Sequence, residues 1–288
     1  MSSQVARTAV APMAIVAIDQ YEDVPLVVDS LAYRVLPAGV RPIVAVNRVR
    51  PVRRLMIRAV ERKFPGLWAS MVCRKRYIDD KLRGAVDEEI GAVVILGAGF
   101  DTRAYRFPWL AGTPVYEVDL PENINRKRSV LEKLFGRVPD HVTLVPIDFQ
   151  AESLGEVLLS HGYRPGEKTF FVWEAVSQYL SETAVRATFR FLATAASGSR
   201  LVFTYVRKDF LDGCEFYGAE AAYREYVSRR RLWHFGLDPA QVGGFLTEYG
   251  WREVEQAGPR EFATRYLVPN RRWLSASEVE LSVSAEKS

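Results

Sequence analysis

Cysteine and histidine are scarce in this chain of 288 residues, which contains two cysteines and three histidines. Cys73 and Cys214 are far apart and form no Cys-x-x-Cys pair, which argues against a disulfide framework. No histidine stands at the spacing of zinc ligands, so we expect no metal site. This cysteine usage indicates a reducing compartment, and we predict a cytoplasmic location.

Long hydrophobic runs and repeats are also missing. The apolar run near the N-terminus, residues 9–18, contains Pro12 and is too short to span a bilayer. No small-x-small cleavage motif follows it, so it does not read as a signal peptide. Glycine and proline are aperiodic and near average, which excludes collagen-like and low-complexity chains. The composition is that of a globular protein with one large domain, or one domain with a cap.

The net charge of +4 conceals a strong segregation of charge along the sequence. Residues 1–33 carry a net charge of −3, residues 34–83 carry +11 and the remainder carries −4. The basic segment has several interpretations: a nucleic-acid surface, attraction to an anionic substrate or anionic membrane face, or the solvated side of a half-buried helix. No aromatic stacking platform is interleaved with its arginines, and we expect no nucleic-acid partner.

From residue 92 onward, short apolar runs alternate with segments of helical periodicity. Helical periodicity is found at 122–135, 151–161 and 182–196. Apolar runs typical of strands buried on both faces are found at 92–96, 115–119, 142–147, 169–173 and 201–206. This alternation predicts a doubly wound α/β sheet with all strand carboxyl ends at one edge, where ligands bind.

The remaining segments predict four further parts around a core at residues 91–206. Proline-interrupted helices at 1–90 would form an N-terminal helical cap. The aromatic and charged residues 207–238 would form either a helical lid insertion at the ligand edge or a surface helix pair. Residues 239–275 would complete the core with a helix at 240–249 and closing strands at 251–255 and 266–268. The Ser- and Glu-rich residues 276–288 are expected to form a flexible tail.

Glycines and a carboxylate mark the ends of the first two predicted strands. The first strand ends in Gly97-Ala98-Gly99, where the absence of Cβ atoms lets the backbone approach a ligand. Asp119 and Leu120 follow the second strand, and the Asp119 carboxylate is placed to accept hydrogen bonds from a ribose. Glu117 is a rival for this role, and Asp119 could also cap the helix that begins at Pro121.

Acidic residues also stand at the ends of the third and fourth strands. Asp148 with Phe149 suits an adenine amino group and ring, and Glu174 directly follows the fourth strand. Three carboxylates would repel the diphosphate of a nicotinamide dinucleotide. They suit S-adenosylmethionine (SAM), which carries a sulfonium, an ammonium, a ribose and an adenine.

The segments Val94-Ile-Leu-Gly-Ala-Gly-Phe-Asp-Thr-Arg-Ala-Tyr-Arg106 and Tyr116-Glu-Val-Asp-Leu-Pro121 resemble the leucine carboxyl methyltransferase family. The closer resemblance, from about residue 70 to 206, is to its bacterial branch of SAM-dependent O-methyltransferases, which includes polyketide O-methyltransferases. It implies a class I SAM methyltransferase fold, Rossmann-like and seven-stranded. It also implies that Arg74 binds the carboxylate of SAM. The other parts of the cofactor would be bound by Gly97, Ala98, Gly99, Asp119, Leu120, Asp148, Phe149 and Glu174.

The acceptor side is less similar to the family, which often has Glu-Gly-(Leu/Val)-Leu-x-Tyr where this chain has Glu174-Ala-Val-Ser-Gln-Tyr179. Tyr179, Tyr205 and His234 are candidates for positioning the acceptor. Because general bases are few, we expect O-methylation of a carboxylate or acidic hydroxyl on a small acceptor of the natural-product or lipid-like kind. The basic segment 34–83 would favour an anionic acceptor. The alternatives are a catalytically silent SAM- or nucleic-acid-binding module and a nicotinamide oxidoreductase.

Overall fold

The computed structural model describes residues 10–288, and its centre is a mostly parallel sheet. Residues 1–9 of the predicted cap lie outside the described residues. The strands are β1 (Ala92–Leu96), β2 (Val115–Asp119), β3 (Val142–Pro146), β4 (Thr169–Trp173), β5 (Arg200–Arg207), β6 (Gly236–Leu237), β7 (Trp251–Ala257) and β8 (Glu280–Lys287).

The helices before and within the first half of the sheet are α1 (Val10–Asp19), α2 (Ala32–Val35), α3 (Arg41–Val46), α4 (Arg50–Lys63), α5 (Leu67–Asp87), α6 (Arg103–Arg106) and α7 (Pro121–Phe135). Those that follow are α8 (Leu154–Ser160), α9 (Glu182–Leu192), α10 (Lys208–Leu211), α11 (Glu220–Ala222), α12 (Val242–Thr247) and α13 (Pro259–Phe262). Single 3-10 turns occupy Pro108–Leu110, Ser177–Tyr179 and Pro239–Gln241, and π-helical turns occupy Tyr223–Arg229 and Ala263–Leu267. No helix within residues 10–288 has both the length and the apolar character needed to cross a bilayer.

The strand order is β3-β2-β1-β4-β5-β8-β7, and the two-residue β6 pairs with β5 beside this path. The first five strands of the order are parallel, whereas β8 runs antiparallel to both β5 and β7. The order reverses direction next to β1, between β1 and β4. The predicted doubly wound α/β sheet is therefore confirmed, and its reversal point lies at the carboxyl end of β1, where open α/β sheets bind ligands.

Helices cover both faces of the sheet. Successive side chains of each strand point to opposite faces, so each strand contributes to a cluster on either side. Val93 and Ile95 of β1 belong to a buried cluster that includes residues of α1, α5 and α7. Val94 and Leu96 belong to a second cluster with residues of α8, α9 and α12. This two-sided burial explains why β1, β2 and β4 are continuous apolar or buried runs rather than alternating ones.

Local signals place the helices that frame the sheet edge. α7 begins with Pro121 and ends at Gly136, which has a left-handed backbone conformation. The N-cap of α9 is Ser181, whose side chain accepts a hydrogen bond from the Ala184 amide at 3.2 Å. α5 starts after Gly66, where a Cβ atom would lie 2.4 Å from the backbone nitrogen of Ser277. That close approach joins the N-terminal helices to the segment leading into β8.

Two predictions about the C-terminal region are wrong. Residues 276–288 are not a flexible tail, because Glu280–Lys287 forms β8 between β5 and β7, with Ser282, Val283, Ser284 and Ala285 all buried. Serine is small enough to be buried in an inner strand, and its polarity concealed the strand in the sequence. Residues 266–268 do not form a strand: they lie in and just after a π-helical turn, where Tyr266 donates a hydrogen bond to Asp80 at 3.0 Å.

Candidate functional site

A cavity of about 610 Å³ opens at the carboxyl edge of the parallel strands. The ends of β1, β2 and β4 and the loop after β3 form its floor. α1, residues 64–75 at and before the start of α5, the segment between β5 and β7 and residues 277–280 contribute further walls, so the predicted cap and lid segments both border it. The apolar lining from the cap consists of Ala11, Pro12, Met13, Ile15, Phe64, Pro65, Leu67 and Met71.

Every residue predicted to bind a cofactor lines this cavity. The local sequence patterns therefore predicted which edge of the sheet carries the site. The fold brings these residues together there, although some are more than 70 positions apart in the sequence. The nine residues are Arg74, Gly97, Ala98, Gly99, Asp119, Leu120, Asp148, Phe149 and Glu174.

Gly97 is required by the geometry at the end of β1. Its φ of +73° is unfavourable for residues with a side chain, and a Cβ atom there would lie 2.2 Å from Cγ2 of Val176. The chain can therefore turn tightly beneath Val176 and expose the backbone of 97–99 to the cavity.

Asp119 is anchored by three hydrogen bonds at the end of β2. Its Oδ2 accepts from the Gly99 amide at 2.6 Å, while Oδ1 accepts from the Leu120 amide at 2.7 Å and from Nδ2 of Asn123 at 2.8 Å. Burial raises the pKa of Asp119, and the bonds from Asn123, Gly99 and Leu120 oppose this rise. The carboxylate thus links the glycine turn to the start of α7 and still borders the cavity.

The rival residue Glu117 lies two residues before Asp119 in β2 and is enclosed by protein. It is fully buried, with Lys127 Nζ 2.7 Å from Oε1 and the Tyr105 hydroxyl donating to Oε2 at 2.5 Å. Burial raises the pKa of Glu117 to about 7, although Lys127 and Tyr105 lower it in part. Because it does not line the cavity, the geometry favours Asp119 over Glu117 as the residue that faces a ligand.

Glu174 is surrounded by three cations at the end of β4. Arg74 Nε lies 3.0 Å from Oε1, Arg103 Nη1 lies 3.0 Å from Oε2, and Lys75 Nζ lies 3.2 Å from Oε1. Burial acts to raise the pKa of Glu174, but Lys75, Arg103 and Arg74 together hold it well below its usual range. Glu174 is therefore ionised at neutral pH.

A second layer of charges fixes these cations. Arg103 is 1% exposed and pairs with Asp79 at 2.7 Å and with Asp101, and Asp79 also pairs with Arg106 at 2.6 Å. On the other side, Arg74 donates to Glu280, which accepts a further hydrogen bond from Thr204 at 2.6 Å. We refer to Arg74, Lys75, Asp79, Asp101, Arg103, Arg106, Glu174 and Glu280 as the buried ion network.

Asp148 and Phe149 lie at the exposed end of the site. Asp148 is exposed and Phe149 is half-buried, and the Asp148 side chain accepts a hydrogen bond from the Gln150 amide at 3.0 Å. The acidic residues therefore differ in environment, from the buried Glu174 to the solvated Asp148. A ligand with one charged end and one flat, partly solvated end matches that gradient.

Only one of the three predicted acceptor-positioning residues lines the cavity. Tyr179 does so, from the turn after β4. Tyr205 is fully buried and donates to Oε1 of Gln256 at 2.7 Å, outside the cavity. His234 is exposed, and its backbone amide donates to the Gln178 carbonyl at 2.7 Å. The structure therefore does not support Tyr205 or His234 as acceptor-contacting residues, whereas the neighbouring Trp233 borders the cavity.

Sequence reasoning missed several polar residues of the site. Lys75, Asp101 and Glu280 line the cavity, and Tyr226 and Trp233 contribute aromatic side chains from the lid segment. Two of them had a signal in the sequence, because Lys75 adjoins Arg74 and Asp101 lies within the segment 94–106 that resembles the family. Glu280 had no such signal, since its pairing with Arg74 joins positions 206 residues apart.

Comparison with known proteins identifies a family match. Residues 9–193 match the model of the leucine carboxyl methyltransferase family. A "putative S-adenosyl-L-methionine-dependent methyltransferase" of Frankia alni is 32% identical over 270 residues, covering 93% of this chain and 89% of that protein. A protein of the same description from Streptomyces avermitilis is 32% identical over 201 residues, covering 69% of this chain and 68% of its own length. The match begins well before residue 70, so it also includes much of the N-terminal cap.

Two solved structures share the fold. One is a "putative methyltransferase" from Thermobifida fusca, with a TM-score of 0.55 and 16% identity over 82% of this chain and 88% of that chain. The other is a DUF574 family protein from Streptomyces avermitilis, with a TM-score of 0.55 and 14% identity over 83% of this chain and 91% of that chain. At this level of identity the likeness concerns the fold alone, and it agrees with the strand order described above.

Proposed function

Since the chain belongs to the leucine carboxyl methyltransferase family and is a SAM-dependent methyltransferase, we propose that it methylates an oxygen atom of a small acceptor, either a carboxylate or an acidic hydroxyl. The resemblance expected from residues 94–106 and 116–121 is confirmed by the family match. The two alternatives, a silent binding module and a nicotinamide oxidoreductase, do not agree with it.

The residues of the cavity fit the methyl donor. Gly97, Ala98 and Gly99 line the cavity because Gly97 permits the tight turn beneath Val176, and Asp119 would accept hydrogen bonds from the ribose. Glu174 would face the ammonium and Arg74 the carboxylate of the amino-acid end, while Asp148 and Phe149 would hold the adenine. When bound, the donor supplies an electrophilic methyl group on a sulfonium. The protein's own task is to orient the acceptor oxygen, and such positioning is worth about 7–11 kcal/mol.

The observation that carries the choice of acceptor is the absence of histidine and cysteine from the cavity lining within residues 10–288. His141 Nε2 lies 2.9 Å from the Ala104 carbonyl and His161 Nδ1 lies 2.8 Å from the Val157 carbonyl, both away from the cavity. Among the carboxylates of the lining, Glu174, Asp101 and Glu280 are paired with cations, and Asp119 accepts three hydrogen bonds. A carboxylate acceptor needs no base because it is already ionised near pH 7.

The lining from the cap and lid segments favours an apolar acceptor body. Met13, Ile15, Phe64 and Leu67 come from the N-terminal cap, and Trp233 comes from the lid segment. Such a mixture of aliphatic and aromatic side chains around a few polar groups is typical of small-molecule pockets. We therefore propose a natural-product or lipid-like carboxylic acid as acceptor.

A methyl-ester assay tests this proposal. The purified chain is incubated with SAM carrying an isotopically labelled methyl group and a panel of apolar carboxylic acids and phenols, and the products are then treated with alkali. Methyl esters release labelled methanol in alkali, whereas methyl ethers retain the label. We expect labelled methanol from one or more carboxylic acids, and stable label confined to phenols would contradict carboxyl methylation.

The pH profile separates the two oxygen acceptors further. With a carboxylic acid acceptor, kcat/KM should be level from about pH 6 to pH 8, because the acceptor stays ionised over this range. With an unassisted phenol, the rate should rise about tenfold for each pH unit, since the ionised fraction rises likewise.

A Trp233→Ala variant should raise KM for the acceptor more than for SAM.

A further inference from the structure

The exposed side of α4 carries the strongest unpaired positive charge among the described residues. Arg53 is the one α4 arginine that turns inward, where it pairs with Glu22 at 2.6 Å and donates to the Asn47 carbonyl. The other five cations of the helix are exposed, and none lies within 4.0 Å of a carboxylate of residues 10–288. They are Arg50, Arg54, Arg58, Arg62 and Lys63.

The single acidic residue of α4 does not offset this charge. Glu61 is half-buried, and its carboxylate accepts hydrogen bonds from the amides of Gly66 at 2.8 Å and Trp68 at 2.9 Å. It is therefore committed to the turn that leads into α5. The inner side of α4 contributes Met56, Ile57 and Val60 to the protein core.

An apolar row runs beside a basic row on the exposed side. Residues three or four apart share one side of a helix, so Arg54, Arg58 and Arg62 form one row. Val52, Leu55 and Ala59 form the adjacent row, with Val52 40% and Leu55 70% exposed. We call these six residues the basic face.

Further aliphatic side chains that are exposed precede the basic face in the sequence. Ile43 and Val46 lie three residues apart on α3, and Val49 precedes α4; each is more than half exposed. Water-exposed aliphatic residues in such number are unusual for a surface that contacts only solvent, and they mark interaction sites when they occur together.

We infer that the basic face of α4 docks on an anionic lipid bilayer. Positively charged rows complement anionic headgroups, and the aliphatic row beside them is suited to the boundary between headgroups and acyl chains. Phe64 and Pro65, which follow α4 directly, line the cavity, so docking would hold one wall of the site close to the bilayer. Bilayer docking does not depend on which oxygen is methylated.

Three other occupants fit the surface less well. A nucleic acid would complement the arginines but would leave Val52 and Leu55 without an apolar partner. A second copy related by a two-fold axis would place the same unpaired cations against one another, which opposes association. Residues 1–9 contain one arginine and no acidic residue, so they offer no complementary charge.

Vesicle co-sedimentation of the full chain tests this inference. The vesicles are made of phosphatidylcholine alone or of phosphatidylcholine mixed with phosphatidylglycerol. We expect binding to the anionic vesicles only, with a strong decrease at high salt. Replacing Arg54, Arg58 and Arg62 together with glutamine should weaken binding roughly a hundredfold, since each arginine near an anionic surface contributes about fivefold.

A matched control removes the same charge elsewhere. Arg126, Arg128 and Arg190 are exposed residues on α7 and α9, and their replacement by glutamine should leave vesicle binding within about threefold of wild type. A Val52→Ser, Leu55→Ser double variant should bind anionic vesicles more weakly at unchanged net charge. Thermal unfolding of each variant shows whether it is folded.

Several results would overturn the inference. These are absence of binding to anionic vesicles, equal loss with the control variant, or full binding by the serine variant. Binding to duplex DNA without binding to vesicles would assign the surface to nucleic acid. Self-association that Leu55→Ser abolishes in sedimentation velocity would assign it to a second copy.

Discussion

The buried ion network and the basic face of α4 are both rich in arginine, but they differ in how their charges are paired. In the network each charged side chain is paired: Arg103 alone contacts Asp79, Asp101 and Glu174. On the basic face, Arg54, Arg58 and Arg62 contact no carboxylate of residues 10–288. Paired, buried charges fix the geometry of a site, whereas unpaired, exposed charges are available to a partner. The sequence alone shows only the charges, and the fold shows the pairing.

Removing one member of the buried ion network should have the largest effect on stability. An Arg103→Leu variant leaves Asp101 without its guanidinium partner and weakens the surroundings of Asp79 and Glu174. Breaking a buried ion pair on one side costs about 3–5 kcal/mol. We expect a decrease of this size in the free energy of unfolding, measured by urea denaturation.

The exposed Arg128 provides the matched control for this variant. Arg128→Leu should change the unfolding free energy by less than about 0.5 kcal/mol, because the residue has no buried partner. If Arg103→Leu were as mild as Arg128→Leu, pairing would not distinguish the two regions.

Glu117 should make stability depend on pH. Its pKa is raised from 4.5 to about 7 in the folded protein, so the protonated form is favoured by folding. This contribution is fully present below pH 4.5 and is lost as pH rises through about 7, for a total of about 3 kcal/mol. We expect unfolding free energy to fall by up to that amount over this window. The Glu117→Gln variant should lack this part of the slope, and an identical slope would show that Glu117 titrates normally.

A smaller effect is expected at Ala175, which follows Glu174. Its φ of +56° is the left-handed region, which costs a residue with a side chain about 1–2 kcal/mol. Glycine removes this strain but makes the unfolded chain more flexible, so Ala175→Gly should stabilise the protein by about 0.5–1 kcal/mol. The helical control Ala187→Gly should instead destabilise it by up to about 1 kcal/mol. Destabilisation by both changes would contradict the strain at Ala175.

The smallest effect is expected on the basic face. Neutralising Arg54, Arg58 and Arg62 to glutamine should change the unfolding free energy by less than about 0.5 kcal/mol each, since no folded-state partner is lost. Thermal and urea unfolding measure this change. A loss comparable to that of Arg103→Leu would show that the arginines support the fold rather than a partner.

Much of the cofactor edge was predictable because its signals are local. A continuous apolar strand followed by Gly97 or Asp119 predicts both the strand and the position of its carboxyl end. Parallel pairing then brings these ends together without further information. The family resemblance added Arg74, which lies on α5 and lines the same cavity.

The rest depended on contacts between distant positions. Glu280 reaches Arg74 only because β8 inserts between β5 and β7, and Ser282 and Ser284 obscured that strand. Tyr205 was predicted together with Tyr179 to position the acceptor, yet it lies within β5 and its hydroxyl meets Gln256 of β7 instead of the cavity. The direction of a side chain at a strand end is set by these neighbours, which composition and periodicity do not reveal.

The most direct test of the account is binding of S-adenosylhomocysteine, measured as stabilisation against thermal unfolding. At a ligand concentration of 100 times Kd, the wild-type chain should gain about 2.7 kcal/mol. The Arg54→Gln, Arg58→Gln, Arg62→Gln variant should keep this gain, and Asp119→Ala should lose most of it while remaining folded. Full stabilisation of Asp119→Ala would contradict the claim that the carboxyl edge of the sheet holds the donor through Asp119.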